Sequence, residues 1–420
     1  EKSIDCTAYN RVVSRCMAVG KGKRKREGTQ YALVVPSTSK IVGAILVSII
    51  SAAFLTHLFA SSPIHPTAFS LPDPPQLESN TKLSSAIHLL EDAVYGAECI
   101  AEDKTTGKIY AGLRTGLICE IRIDKTNKMA KIVRAVRLTN STDCDGSYGS
   151  FPKCGRPLGL RFSPSGSLLV ADAYLGLFEI DLKKEKVLTL VRGGSPIDGS
   201  PESPPLRYIN DVDTLPDGRI VMSESSHRFD DRDFIFDVLE HRPNGRLLVY
   251  DIKTDTLREM MTSLYFPNGI LVSRGKILVA EMGMARILRV SPSSEDVTIL
   301  ADNLPGYPDN IRKSADERSI LVAIPTLRGQ WDNWMSERPN LRELFTKFFS
   351  NQAVRFLTSL FTPDYGLVLK LSTETGEILE SLHDPSGTVV SQVSTVIERA
   401  DGSLLMGSDN GYYLALLPAG

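Results

Sequence analysis

Glu98, Asn210, Asn268 and Asp309 stand in four phrases of similar pattern, "YGAECIA", "YINDV", "FPNGI" and "YPDNI". In each, an oxygen-bearing side chain comes shortly before an Ile or Val and an apolar run. Brought together, two carboxylates and two amide oxygens form a set of hard donors. Such a set suits Ca²⁺, which takes about 6–8 oxygen ligands in flexible geometry. Backbone carbonyls and water would complete the shell, and the two charges balance. Asn310, beside Asp309, is a further candidate. Zn²⁺ suits these positions less well, because no His or Cys cluster accompanies them. The ordinary alternative is that each Asn or Asp supports a local turn. Asn268-Gly269 between apolar runs is itself a hairpin signal.

Such convergence needs a fold that returns the chain to one axis. Short β-like runs fill the sequence from about residue 84, among them "KIYAGL", "SLLVADA", "RIVMSE", "KILVAE", "SILVAI" and "SLLMGS". Gly, Pro, Asn and Asp separate them. Repetition at about 40–60 residues predicts a propeller of four-stranded blades, whose innermost strands line a common channel. Six units start near Glu98, Leu158, Asn210, Asn268, Asp309 and Ser394. A parallel α/β fold is disfavoured, because no helical pattern of 10–15 residues lies between the strands. The expected class is therefore all-β, a six-bladed β-propeller over 84–420.

The fifth unit is enlarged by a helical insertion at about 335–361. Leu341, Leu344, Phe345, Phe348 and Phe349 give it an apolar stripe at helical spacing. Such a stripe packs on the propeller, caps a substrate or faces a membrane.

The 420 residues carry a net charge of -2, with 42% hydrophobic and 23% charged residues, globular values. Charge is uneven. Residues 1–40 hold nine Lys or Arg against three acids, roughly +6, leaving about -8 for the rest. This balance argues against nucleic acid as a partner. The basic tail precedes twenty uncharged residues, Ile41–Ala60, enough to span a hydrocarbon core. The expectation is a cytosolic tail at 1–40, a transmembrane signal anchor at 41–60 and a Pro-rich stalk at 61–83. The positive-inside rule then makes a single-pass type II membrane protein with its propeller extracellular or lumenal, at the plasma membrane or endoplasmic reticulum. A cleaved signal peptide fits less well, because the basic region and the apolar run are both too long.

Cysteines divide with that topology. Cys6 and Cys16 fall on the reducing side. Cys99 and Cys119 lie in apolar surroundings and read as buried thiols. Cys144 and Cys154, ten residues apart across the polar loop "DCDGSYGSFPKCG", suit a disulfide. The sequon Asn140-Ser-Thr on the same loop is a glycosylation acceptor.

The strings "CGRPLGLRFSPSGSLLVADAYLGLFEIDL", "INDVDTLPDGR", "FPNGILVS" and "LPGYPDNIRKS" resemble the strictosidine synthase-like family of calcium-dependent six-bladed propellers, which are related to paraoxonases and gluconolactonases. The resemblance runs from about Ser84 to the C-terminus. It implies Ca²⁺ at Glu98, Asn210, Asn268 and Asp309, with Asn310 beside them, and the disulfide Cys144–Cys154. It also implies an arylesterase-like hydrolase acting on small aromatic esters or lactones. Departures bear on catalysis. Leu158 and Ala173-Tyr174 stand where paraoxonases carry a His dyad, and Cys99 replaces an acidic neighbour of the first ligand. Gln392 to Thr395 answer to the stretch holding the catalytic Glu of strictosidine synthase, so alkaloid-forming chemistry is not expected. His227, His241 and His383 remain as candidate bases without a partner in the sequence, and no catalytic residue is assigned. The alternative is a non-catalytic binding or adhesion propeller with a structural calcium. No protein partner is indicated.

Overall fold

The computed structural model describes residues 38–124, 128–293 and 296–419. Six four-stranded antiparallel sheets follow one another along the chain. Their innermost strands are Cys99–Asp103, Pro157–Phe162, Tyr208–Thr214, Pro267–Ser273, Ile311–Lys313 and Val393–Glu398, which we take as blades 1 to 6. The all-β six-bladed propeller read from the repeats is therefore the architecture observed. The sixth blade is completed by the chain's other end: Ile87–Leu89 pairs with Leu414–Leu416 as its outermost strand. That closure ties the last blade to the first without leaving the ring open.

Blades hold together through six apolar interfaces, one for each adjacent pair. A blade is covered on both faces, so its middle strands read as continuous apolar runs rather than alternating ones. In "SLLVADA", Leu169 and Ala171 face blade 3 while Leu168 and Val170 face blade 1. The alternation of side chains along a strand divides one run between two interfaces.

Blade 5 carries three helices between its second and third strands, Gln330–Ser336, Pro339–Phe348 and Asn351–Ser359. A shorter helix, Phe234–Glu240, occupies the corresponding place in blade 3 and touches the second and third of them.

A helix runs over Thr38–Phe59, bounds that differ slightly from 41–60. Among the described residues no helix is long and apolar enough to cross a membrane. The side chains of residues 38–40, 53 and 56–58 lie outside those described, so the membrane span is not established by this helix. The tail at 1–37, with Cys6 and Cys16, also lies outside the described residues. Residues 61–81 form no helix or strand and Lys82–Ser85 make one short 3-10 turn, yet the segment does not stand off as a free stalk. Ile64 is fully buried. His65 N donates to Glu240 Oε1 at 2.7 Å, Phe69 N to Ser336 O at 3.2 Å, and Asn80 Nδ2 to Ser381 O at 2.9 Å. The segment is a strap across blades 3 and 5, because its backbone groups find partners on the propeller surface.

Cys144 and Cys154 form a disulfide with Cα atoms 5.6 Å apart. Cys99 and Cys119 are buried free thiols. Asn140 is exposed on the polar loop.

Candidate metal centre

Asn210 and Asn268 lie on the inner strands of blades 3 and 4, while Glu98 immediately precedes that of blade 1 and Asp309 stands two residues before that of blade 5. All four residues sit toward the starts of these strands, so the propeller brings them to one end of the channel. Close approach at two points depends on glycine. A Cβ on Gly159 would stand 2.7 Å from the Asn210 carbonyl, and one on Gly269 would stand 2.6 Å from the Asp309 carbonyl. Asn268-Gly269 is thus not a hairpin turn. It lies inside the strand Pro267–Ser273, and Gly269 admits the neighbouring strand.

Each of the four side chains is more than nine-tenths buried. Their amides and acids are oriented by neighbours. Asn210 Nδ2 donates to Ser225 Oγ at 3.1 Å, and Ser225 Oγ donates to Pro267 O at 2.9 Å. Ser223 Oγ donates to the Asn268 carbonyl at 2.6 Å. Asn310 Nδ2 donates to Glu98 Oε1 at 3.0 Å. One oxygen of each residue is left over. Glu98 Oε2, Asn210 Oδ1, Asn268 Oδ1 and Asp309 Oδ1 are buried without a hydrogen-bond partner. Thr395 Oγ1 from blade 6 shares this condition. Buried polar atoms are nearly always paired, so four orphaned oxygens at one end of one channel call for a common partner.

Burial pushes the Glu98 carboxyl well above the usual carboxylate range, with the Asp309 charge adding to it. Burial likewise lifts Asp309 to about 7, against the pull of the Asn268 side chain and Arg312. Both shifts describe carboxylates short of positive charge. A hard divalent cation would supply it, and the donor set of two carboxylates and two amide oxygens fits Ca²⁺. Among the described residues no group of three or more His, Cys, Asp and Glu comes together as a metal cage. The ring is instead half amide, two Asn beside one Glu and one Asp.

Asn310 has a different place. Its Oδ1 accepts from Arg312 Nη2 at 2.9 Å while its nitrogen holds Glu98, so it orients a donor and keeps one lone pair of its own oxygen open. Asp211, Arg312, Ser225 and Thr395 were not singled out from sequence. Asp211 stands in the same "IND" phrase as Asn210, and only its pairing shows that it belongs to another cluster. Arg312 Nη1 and Arg161 Nη2 donate to Asp211 Oδ2 at 2.9 and 3.2 Å, as does Ile270 N at 3.0 Å.

Directly beside the ring is an apolar wall of Leu158, Ala173, Tyr208 and Phe266. Tyr208 and Phe266 each come two residues before a ring asparagine, and their rings meet edge to face at 5.9 Å. Histidines lie elsewhere. His241 stacks on Phe69 of the strap, and burial lowers its pKa to about 3. His383 Nδ1 pairs with Tyr365 Oη at 2.8 Å on the outer strand of blade 5. His227 is half-buried behind the second strand of blade 3. Among the described residues no histidine hydrogen-bonds to the ring.

Residues 210–295 match the strictosidine synthase family model. The adipocyte plasma membrane-associated protein of Salmo salar is 36% identical over 92% of this chain and 93% of its own length. That of Homo sapiens is 35% identical over 86% of this chain and 85% of its own. Among solved structures, a gluconolactonase from Xanthomonas campestris aligns with a TM-score of 0.51 at 15% identity, over 85% of this chain and 99% of its own. That last likeness concerns the fold.

Proposed function

This chain belongs to the adipocyte plasma membrane-associated protein family, and on that premise we propose a membrane-anchored, Ca²⁺-dependent propeller hydrolase for small aromatic esters or lactones. The observation that carries this reading is the set of four partnerless oxygens beside an apolar wall. Glu98, Asn210, Asn268 and Asp309 would hold the ion. Bound Ca²⁺ supplies Lewis acidity toward a carbonyl oxygen and charge for a developing oxyanion. Leu158, Tyr208 and Phe266 offer an aromatic group an apolar seat and keep bulk water from the ring. Asn310 fixes Glu98, and Ser225 fixes the Asn210 amide so that its oxygen is not turned away.

Membrane association accords with the names of the relatives. A single-pass anchor at about 41–60 with the propeller extracytosolic is the reading we adopt. The Cys144–Cys154 disulfide and the exposed sequon at Asn140 support it.

A second reading has one observation in its favour: no described histidine reaches the ring, and no general base is evident. The propeller would then bind or adhere, with Ca²⁺ structural. The two are separated by assaying the full chain in detergent on phenyl acetate and on a δ-lactone, with Ca²⁺ or with EGTA, beside Asn268→Ala. Turnover that disappears with EGTA and in the variant supports the hydrolase. Equal, negligible rates in every sample, with thermal stability still lowered by EGTA, leave the structural-calcium reading.

A further inference from the structure

The insertion in blade 5 inverts the usual arrangement of an amphipathic helix. On a globular protein the apolar stripe turns inward. Here, Val354 apart, the side chains taken fully into the interior are polar. Arg342, 2% exposed, donates to the carbonyls of Leu239, Thr67 and Ser336. Thr346 Oγ1 meets Ser62 Oγ at 2.9 Å, and Asn351 Nδ2 donates to Arg232 O at 2.7 Å. The large apolar groups are left outside: Trp331 is 57% exposed, Phe356 63%, Leu360 62% and Phe361 73%. Three of the exposed rings form one surface, with Trp331 stacked on Trp334 at 4.8 Å and on Phe361 at 6.1 Å. Arg338 lies over the Trp334 ring at 4.3 Å, a cation at the edge of that aromatic face. A contiguous exposed apolar face marks a contact surface.

Chain connectivity identifies the occupant. Ser62, hydrogen-bonded to the second helix of the insertion, comes three residues after Phe59, where the apolar helix ends. Three extended residues reach at most about 11 Å. With 41–60 read as a membrane span, the chain leaves the bilayer within that reach of Ser62. Tryptophan favours the headgroup layer, and both tryptophans of the chain are in this patch. Resting on the reading of 41–60 as a membrane span, we propose that the aromatic face of the blade 5 insertion lies in the headgroup layer of the membrane that its own chain crosses.

The test is intrinsic fluorescence of the full chain in phosphatidylcholine vesicles, with and without bromine on the acyl chains near the headgroup. The two tryptophans report on this face alone. Brominated lipid should remove most of their emission. Phe356→Asp with Phe361→Asp should restore it, while Ca²⁺-dependent thermal stability stays unchanged as a control for folding. Carbonate extraction of the same vesicles separates the two readings. A carbonate-resistant chain with unquenched tryptophans overturns the headgroup contact alone, whereas a chain released by carbonate overturns the anchor and the contact with it. Tryptophans shielded from acrylamide yet untouched by brominated lipid assign the face to a protein partner and also overturn the proposal.

Discussion

Asn210 and Asp211 are consecutive residues of one strand, and the clusters they belong to solve the burial of negative charge in opposite ways. Around Asp211, which is fully buried, the protein supplies its own cations. Arg312 and Arg161 donate to it, and the Ile270 amide adds a third bond. Around Asn210, two carboxylates are buried with one oxygen each unpaired, and burial raises both pKa values. Burying a carboxylate is costly unless it is paired and hydrogen-bonded. The first cluster meets that condition internally, so it is part of the framework. The second leaves one oxygen of each carboxylate without a partner from the protein. Asn310 links the two, accepting from Arg312 and donating to Glu98.

The sharpest way to break this comparison is to remove the internal partner. Asp211→Asn leaves Arg312 buried without its counter-charge, and urea unfolding should show a loss of about 3–5 kcal/mol, the same with Ca²⁺ as with EGTA. On the other side, Ca²⁺ at a hundredfold excess over its Kd should stabilise the native chain by about 2.7 kcal/mol. Glu98→Gln and Asp309→Asn should abolish that increment without lowering stability in EGTA, since each removes a buried like charge. If either variant is as unstable in EGTA as Asp211→Asn, the ring is framework and the distinction fails.

Asn310→Ala tests the link. Loss of its side-chain bonds to Glu98 and Arg312 should cost about 2 kcal/mol in either condition and weaken Ca²⁺ binding by calorimetry, because Glu98 is no longer held. A loss seen only with Ca²⁺ would make Asn310 a ligand rather than a support.

The smallest effect is in pH. Asp309, lifted to about 7 in the ion-free ring, binds a proton more tightly folded than unfolded, where a carboxyl titrates near 3.9. Its contribution to stability in EGTA is therefore complete below about pH 4 and is lost as pH rises through about 7. With Ca²⁺ the sign reverses, since the ion must displace the proton. Affinity should fall by up to about tenfold for each pH unit below 7. A Ca²⁺ increment that stays flat between about pH 5 and 8 would remove Asp309 from the site.

Much of the blade plan was legible in the repeats. Unit starts near Glu98, Leu158, Asn210, Asn268, Asp309 and Ser394 lie within two residues of an inner strand's first residue or within that strand. The reason is that each blade buries both faces and must end in turn residues, which writes apolar runs and breaks into the chain at a fixed spacing. The insertion was legible as helix, but not which way it faces. Its stripe pattern reports amphipathicity, while burial of Arg342 depends on carbonyls from residues 67, 239 and 336. Five prolines in residues 61–80 reveal an extended segment, and only its partners on blades 3 and 5 distinguish a strap from a stalk.

By itself, the sequence determined what is local or periodic in this protein: the strand repeats, the breaks between them, the polar residue at four unit starts and a cysteine pair set across a short loop. Tertiary structure alone decided which oxygens are left unpaired. Asn210 and Asp211 are adjacent and alike in chemistry, and alternation along the strand sends one toward Ser225 and the other toward Arg312 and Arg161. Whether a carboxylate or amide is satisfied depends on residues tens to hundreds of positions away, because electrostatics and hydrogen bonds act through space and not along the chain.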